Sequence, residues 1–293
     1  MEGDRGLHQS RHSLPPGAFR GSNRVDHSEL RHKLLELFHS PDYRPPVLPA
    51  VAIKLLGLVR HPQVDMRDAV EMLRQDALLA GNLLRLAQSP FYGSAQVRSL
   101  EEAMLRLGLN RVSDLFLRVS TELRVFRAAG YDEPMNRLRH HSAVVAELVQ
   151  KVCRLSVGLE QYAFLCGLLH DVGTAASIIA VADLVPKPPF EQVRPVIAAV
   201  HETCSELVAK LWSLSPDVST VLALHHRLGL DGRVHPIAAA VALADGLADE
   251  VGAGFYGEAD AARTTMAARE LGIDQRALTL LRADATAIAA AVA

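Results

Sequence analysis

Histidine and aspartate side chains in five separate segments of this chain could together bind a divalent metal ion. The central pair is His170 and Asp171 in GLLHDVGT, where two polar residues interrupt an apolar run. Imidazole and carboxylate donors without a thiolate favour iron, manganese or zinc, as one or two ions. Such an ion could polarise a phosphoryl oxygen, as in metal-assisted phosphoester hydrolysis. The candidate ligands are His141, His170, Asp171, His201, His225, His226 and Asp245.

Simpler roles remain open for these residues when each is taken alone. A single helical histidine is more often hydrogen-bonded or exposed than a metal ligand. His225 and His226 could merely stabilise a helix C-terminus, where an imidazolium is favoured. Burying His170 and Asp171 without partners would be costly. We therefore expect a metal, an ion pair or a hydrogen-bond network at that pair.

The segments that carry these residues are predicted to be helices. Apolar side chains recur at helical spacing and strand alternation is nowhere sustained, so the sequence predicts an all-α fold. Because adjacent helical side chains diverge by about 100°, His170 and Asp171 can face one centre only at a helix end or beside a cavity. Helices are predicted after Pro49, from about Asp65, and at 28–40, 77–88, 99–107, 110–126, 135–155, 159–170, 173–183, 189–211, 214–226, 235–251, 258–270 and 274–292.

The chain is predicted to consist of a polar tail and two helical lobes. Residues 1–27 carry Gly, Ser, Arg and Pro without periodic apolar positions, a composition typical of a flexible tail. The segment RVFRAAGYDEP at 124–134 places Gly, Asp and Pro between two helical zones and marks the predicted lobe boundary. The N-terminal lobe is therefore predicted at 28–125 and the C-terminal lobe at 126–293.

Composition narrows the compartment and the partners. The formal net charge of -2 gives no overall basic footprint, so nucleic-acid binding is not favoured. The three cysteines, Cys153, Cys166 and Cys204, form no CxxC pair and are predicted to be buried free thiols in a reducing compartment. Charged residues or histidine interrupt every candidate membrane span, and the N-terminus lacks the apolar stretch of a secretory signal. The sequence predicts a cytoplasmic protein without a membrane span.

The segment GLLHDVG resembles the His-Asp doublet that names the HD superfamily of metal-dependent phosphohydrolases. The upstream half is similar to the N-terminal lobe of HDOD domains, the HD-related output domains, and the resemblance covers roughly residues 29–250. It implies an HD-like helical bundle with an additional N-terminal helical lobe. HDOD domains are bacterial signalling or regulatory modules rather than established enzymes. The positions that carry the resemblance include Leu48, Pro49, Asp76, Leu86, Ala87, Ser89, Tyr92, Gly93, Ala103, Leu107, Gly108, Leu109, Asn110, His201, Leu207 and Trp212.

The seven candidate ligands are also similar to the set in the metal-binding HD-GYP cyclic-di-GMP phosphodiesterases, where matching positions hold two or three metals. Two features depart from that enzyme pattern. Thr174 stands where the HD-GYP pattern has a lysine, which removes a cation that could contact a substrate phosphate. The segment after His226 lacks the Gly-Tyr-Pro element. Ser205 also replaces a glycine that is usual in HDOD sequences.

Two functions follow from these resemblances. The favoured one is a regulatory signal-transduction module that binds a signalling protein partner or a small nucleotide-like ligand, with a metal site in the HD-like lobe. The alternative is a metal-dependent phosphohydrolase that acts on a nucleotide or cyclic nucleotide. In an intermediate case the metal serves only structure or sensing.

Overall fold

A computed structural model of the chain is organised as two compact units, Met1–Pro46 together with Val125–Ala293, and Val47–Arg124. It describes residues 14, 25–46, 83–84, 86–89, 97, 99–108, 111–112, 114–115, 118, 126–156, 162–257 and 260–292. The helices predicted after Pro49 and from Asp65 lie outside the described residues, as do residues 1–13 and 15–24 of the predicted tail. Leu14, within that tail, is buried, and its N–H donates to the carbonyl of Ala180 at 3.0 Å.

Helices dominate the described part of the chain, which confirms the predicted all-α class. A two-residue antiparallel hairpin, β1 (Gly229–Leu230) and β2 (Arg233–Val234), was not predicted. The helices with assigned bounds are α1 (His27–His39), α2 (Leu100–Leu107), α3 (Asp132–Leu155), α4 (Ala163–Leu169), α5 (Val172–Ala182), α6 (Phe190–Leu211), α7 (Pro216–Leu224), α8 (Pro236–Glu250), α9 (Ala261–Glu270) and α10 (Gln275–Val292).

Helix α1 belongs to the larger unit and packs against α6. Asp26 caps it, because its Oδ1 accepts from the backbone N–H of Ser28 at 2.9 Å. The apolar face of the helix, Leu30, Leu34 and Phe38, is buried. The sequence-based division placed residues 28–46 in the N-terminal lobe, whereas the structure groups them with 125–293. Helical periodicity identifies the apolar face of α1 but not the helix that covers it.

In the smaller unit, α2 begins at a side-chain cap. The Oγ of Ser99 accepts from the backbone N–H of Glu102 at 3.1 Å, and Arg106 donates to the carbonyl of Ala87 at 3.1 Å. Ala103, Met104 and Leu107 form its buried face. The structure therefore agrees with the helix predicted at 99–107.

The core of the larger unit is built on α3, which contacts α4, α8 and α10, and on the pair α5 and α6. Helices α5 and α6 approach closely at Gly173, where an added Cβ would lie 2.3 Å from the backbone nitrogen of Ser205. The Oγ of Ser205 accepts from the N–H of Gly173 at 2.9 Å, so the serine satisfies a helix N-terminal donor. Cys153, Cys166 and Cys204 are buried and form no disulfide with one another, as predicted.

The stretch Ala163–Ala182 is long and apolar enough to cross a membrane by length and composition, but 94% of it is buried inside the structure. It comprises two helices, α4 and α5, which are separated at His170 and Asp171. Burial of this kind is typical of a core helix pair. His170 and Asp171, the polar residues that interrupt this apolar run in the sequence, therefore lie at the junction of two helices.

Replacing Trp212 with Phe tests how the segment after α1 is held. The indole Nε1 of Trp212 donates to the carbonyl of Pro46 at 2.8 Å. We expect Trp212→Phe to lower the free energy of unfolding by about 1 kcal/mol, the usual net value of one such hydrogen bond, measured by urea denaturation. Leu211→Ala, at a 45% exposed neighbour, is the control and should change stability by less than about 0.5 kcal/mol. Equal stability of wild type and Trp212→Phe would show that the hydrogen bond from Trp212 to Pro46 does not stabilise the fold.

Candidate metal centre

The central His170 and Asp171 lie at the junction of two helices. His170 is the C-terminal cap of α4, and Asp171 is the N-terminal cap of α5, with φ -102° and ψ 20°. Because the helix is interrupted there, both side chains can face one centre. His170 Nε2 lies 3.7 Å from Asp171 Oδ2, and both residues are at most 2% exposed.

One cluster of possible ligands, the first group, consists of His141 from α3 with His170 and Asp171. One ligand atom from each lies within 4.8 Å of the other two. The Nε2 atoms of His141 and His170 are 3.1 Å apart. Asp245 on α8 joins this group, since its Oδ1 lies 3.3 Å from His141 Nε2.

A second cluster, the second group, consists of His201 from α6 with His225 and His226, which follow α7. These residues also offer ligand atoms within 4.8 Å of one another. His201 Nε2 and His226 Nε2 are 2.8 Å apart. His226 Nδ1 lies 4.0 Å from Asp245 Oδ2, so Asp245 borders both groups.

The carboxylate of Asp171 lies between the two groups and presents one oxygen to each. Its Oδ2 faces the first group, at 3.7 Å from His170 Nε2 and 3.9 Å from His141 Nε2. Its Oδ1 faces the second group, at 3.5 Å from His201 Nε2 and 3.7 Å from His225 Nε2. A carboxylate in this position could bridge two cations.

Backbone carbonyls orient the imidazole rings of four of the histidines. Each ring places Nδ1 within hydrogen-bond distance of a carbonyl oxygen, and because a carbonyl can only accept, Nδ1 is the donor. Nε2 of each ring therefore faces the centre of the cluster, where the neutral form of the ring offers a lone pair. The contacts are His141 to Ala253 at 3.0 Å, His170 to Gly167 at 2.8 Å, His201 to Ala198 at 2.7 Å and His225 to Leu222 at 2.8 Å.

Buried acceptors without donors indicate that the residues present fit a cation. Asp171 Oδ1, His225 Nε2 and His226 Nδ1 are buried and have no hydrogen-bond partner among the described residues. Leaving such groups unsatisfied is costly, and a divalent ion ligated by imidazole and carboxylate would satisfy them. His140, adjacent to His141, faces elsewhere, with its Nε2 3.1 Å from the carbonyl oxygen of Ala289.

The electrostatics of the cluster favour neutral His170 and His225 at its centre and a protonated His141 beside Asp245. Burial lowers the pKa of His170 and lowers the pKa of His225 further. Burial also lowers the pKa of His141, but its hydrogen bond to Asp245 and the charges of Asp245 and Asp171 outweigh burial and raise the pKa to about 9. The His141 contact likewise outweighs burial at Asp245 and lowers the pKa of that carboxyl. Neutral His170 and His225 are in the form that ligates a metal.

A tyrosine lies beside His201 of the cluster. The ring of Tyr256, in the segment between α8 and α9, lies 5.2 Å from the ring of His201, measured between centroids. Its hydroxyl is hydrogen-bonded to Thr174 Oγ1 at 2.5 Å, and its backbone carbonyl accepts from Arg194 at 2.8 Å. His226, with a side chain 25% exposed, is the most accessible of the seven candidate ligands.

A family model of the HDOD domain matches residues 46–228, more than half of the chain. This chain belongs to the HDOD family. Asp245 lies beyond the matched range, whereas the other six candidate ligands lie within it.

Solved structures share the fold of this HDOD protein. An HDOD domain protein of unknown function from Geobacter sulfurreducens is 21% identical, with a TM-score of 0.67 over 90% of this chain and 96% of that one. A Shewanella amazonensis SB2B protein, provisionally named a metal-dependent phosphohydrolase, is 20% identical, with a TM-score of 0.72 over 91% and 98% of the two chains. At these identities the likeness establishes the helical fold.

In two further comparisons, with a third solved structure and with a curated relative, the match spans only part of the other protein. A Marinobacter aquaeolei VT8 protein, provisionally named for signal transduction, is 20% identical, with a TM-score of 0.65 over 93% of this chain and 66% of that one. An uncharacterized Treponema pallidum protein is 23% identical over 196 residues, 62% of this chain. The match spans 38% of the length of that relative.

The structure brings all seven predicted ligands into one cluster, while metal binding by them stays a prediction. Sequence reasoning missed two residues at the cluster, Tyr256 and Arg263. Tyr256 lies in a Gly-rich segment and Arg263 in an Ala-rich helix, and neither is near a ligand in sequence. Their types and spacing carry no signal, since each reaches the cluster only through the packing of the segment and helix that follow α8.

Proposed function

We propose that this HDOD protein is a regulatory signal-transduction module whose HD-like lobe binds one or two divalent ions of iron, manganese or zinc. The proposed ligands are seven residues: the three of the first group, the three of the second group, and Asp245. The observation that carries it is the orientation of four imidazoles, each with Nδ1 held by a backbone carbonyl and Nε2 directed inward. Such outer contacts are what hold metal-ligating histidines in place.

The position of Thr174 favours a regulatory role over phosphoester hydrolysis. Thr174, where related hydrolases carry a lysine, is buried and bonded to Tyr256 rather than available to a phosphate. In this proposal the lobe relays a signal by binding a signalling protein or a small nucleotide-like ligand, in the cytoplasm.

A second candidate is a metal-dependent phosphohydrolase acting on a nucleotide or cyclic nucleotide, and the bridging position of Asp171 favours it. A bound divalent ion would supply Lewis-acid polarisation of a phosphoryl oxygen. In that case Asp171, with one oxygen facing each group, and the inward Nε2 atoms of the histidines would hold the ions.

Metal addition should stabilise the protein against heat. We expect Mn²⁺ or Zn²⁺ at about 100 times its Kd to add about 2.7 kcal/mol to the free energy of unfolding. That corresponds to a rise in Tm of about 4 °C for a chain of this size, measured by calorimetry with and without a chelator. An unchanged Tm with each of iron, manganese and zinc would contradict the metal proposal.

Catalysis is tested separately on the metal-loaded protein. Nucleoside phosphates and cyclic dinucleotides should remain intact if the module is regulatory, with product measured by chromatography. Hydrolysis at ordinary enzyme rates of about 1 per second or more, abolished in Asp171→Asn, would favour the phosphohydrolase instead.

A further inference from the structure

Arg263 on α9 approaches the cluster without belonging to the predicted ligand set. Its Nη2 lies 2.8 Å from Asp245 Oδ2, and its side chain is 14% exposed. Its Nε is buried and has no hydrogen-bond partner within the described ranges. The guanidinium therefore pairs with Asp245 through one N–H and one carboxylate oxygen.

Close packing of α8 and α9 fixes this pair. A Cβ added to Gly246 would lie 2.1 Å from Thr264 Oγ1, so the two helices meet there at a distance that only glycine allows. Thr264 is 1% exposed, and its hydroxyl donates to the carbonyl of Asp260 at 3.0 Å. Asp245 and Arg263 directly precede Gly246 and Thr264, so the same contact brings them together.

The two oxygens of Asp245 have different surroundings. Oδ1 lies 3.3 Å from His141 Nε2, in the first group. Oδ2 contacts Arg263 and lies 4.0 Å from His226 Nδ1, in the second group. Arg263 thus occupies the oxygen through which Asp245 could otherwise reach the second group.

We propose that Arg263 is a positioning residue that restricts Asp245 to one ligating oxygen, Oδ1, directed at the first group. This inference rests on the metal binding proposed above. With Oδ2 held by the guanidinium, the carboxylate cannot rotate to offer both oxygens to one ion or to turn towards His226. Removing a residue that orients a metal ligand in this way typically weakens metal affinity by about 10–100-fold.

The test compares the full-length chain with Arg263→Met, which keeps much of the side-chain length without the charge or donors. Zn²⁺ titrated by calorimetry should bind the variant about 10–100-fold more weakly at the tighter site. The visible absorption of bound Co²⁺ should also change, because a released Asp245 alters the coordination. Arg263→Lys should bind Zn²⁺ with an affinity closer to wild type than to Arg263→Met, since one donor is enough for a single N–H contact.

Arg282→Met is the matched control, because Arg282 pairs with Glu250 on the same α8 at 2.6 Å but lies at the exposed surface. It should leave Zn²⁺ affinity and the Co²⁺ spectrum unchanged. Failure of the wild type to bind each of iron, manganese and zinc would overturn the proposed function, and the variants are compared with whichever of these ions the wild type binds. Equal Zn²⁺ affinity and identical Co²⁺ spectra in wild type and Arg263→Met would overturn this inference alone.

A variant that does not fold would still leave the inference testable. Should Arg263→Met fail to fold, Arg263→Gln takes its place, because its shorter side chain cannot reach Asp245 Oδ2 and retains polar character. The same loss of Zn²⁺ affinity and the same change in the Co²⁺ spectrum are expected. Wild-type values for Arg263→Gln would overturn the inference.

Discussion

Asp171→Asn should abolish high-affinity metal binding at both groups of histidines. The amide keeps the shape of the side chain, but it removes the negative charge and turns one oxygen into an NH₂ that cannot ligate. Since the two oxygens of Asp171 face different groups, the substitution affects both. Structural four-ligand zinc sites bind with about 10–16 kcal/mol, or about 3 kcal/mol per ligand, so we expect a loss of at least about 100-fold in affinity.

Zn²⁺ and Mn²⁺ affinities measured by competition with a chromophoric chelator would show this loss. Asp231→Asn is the control, because Asp231 is exposed in the β1–β2 turn at φ 51°, a conformation that asparagine also adopts readily. Urea unfolding without metal should show that Asp171→Asn is folded. If that folded variant bound both metals as tightly as Asp231→Asn does, Asp171 would not be a metal ligand of either group.

Gly173→Ala should destabilise the protein strongly and weaken the same site. The three atoms nearest to an added Cβ, at 2.3–2.8 Å, are backbone atoms of His201, Cys204 and Ser205, so no side chain can move aside. Helix α5 would have to move away from α6. Because overpacking of this kind costs about 1–3 kcal/mol and sometimes more, we expect a loss of about 3 kcal/mol in the free energy of unfolding, measured with urea.

The shift of α5 should also separate Asp171 from His201, since these residues lie on the two helices that are forced apart. We therefore expect folded Gly173→Ala to bind Zn²⁺ more weakly than the wild type does. Gly272→Ala is the control: its φ is 67° with nothing within 4 Å of an added Cβ, so only backbone strain of about 1 kcal/mol is expected. Equal stability of the two variants would show that α5 and α6 can adjust without cost.

The local features of the HDOD fold were predictable from the sequence. Apolar periodicity placed α3 to α10 within a few residues of their observed bounds, because helix formation depends on side chains three and four positions apart. His170 and Asp171 were recognisable because polar residues in an apolar run need partners. The burial of Cys153, Cys166 and Cys204 without disulfides was likewise predictable.

The assignment of α1 shows where local information ends. Its apolar face, with Leu30 and Leu34, was visible in the sequence, but its packing on α6 and its place in the larger unit were not. Periodicity defines which side of a helix is buried and leaves the partner open. The partner depends on the shapes of all the helices that compete for that face.

The sequence by itself determined the helices and the types of donor available to a metal, since both depend on residues close together in the chain. Only the tertiary structure decided that Asp171 presents one oxygen to each group of histidines, that Tyr256 pairs with Thr174, and that Arg263 holds Asp245. The contacts of Arg263 with Asp245 and of Tyr256 with Thr174 join residues that lie 18 and 82 positions apart in the chain. They follow from helix packing, where Gly173 against the backbone of α6 and Gly246 against the Thr264 side chain of α9 set the distances between side chains.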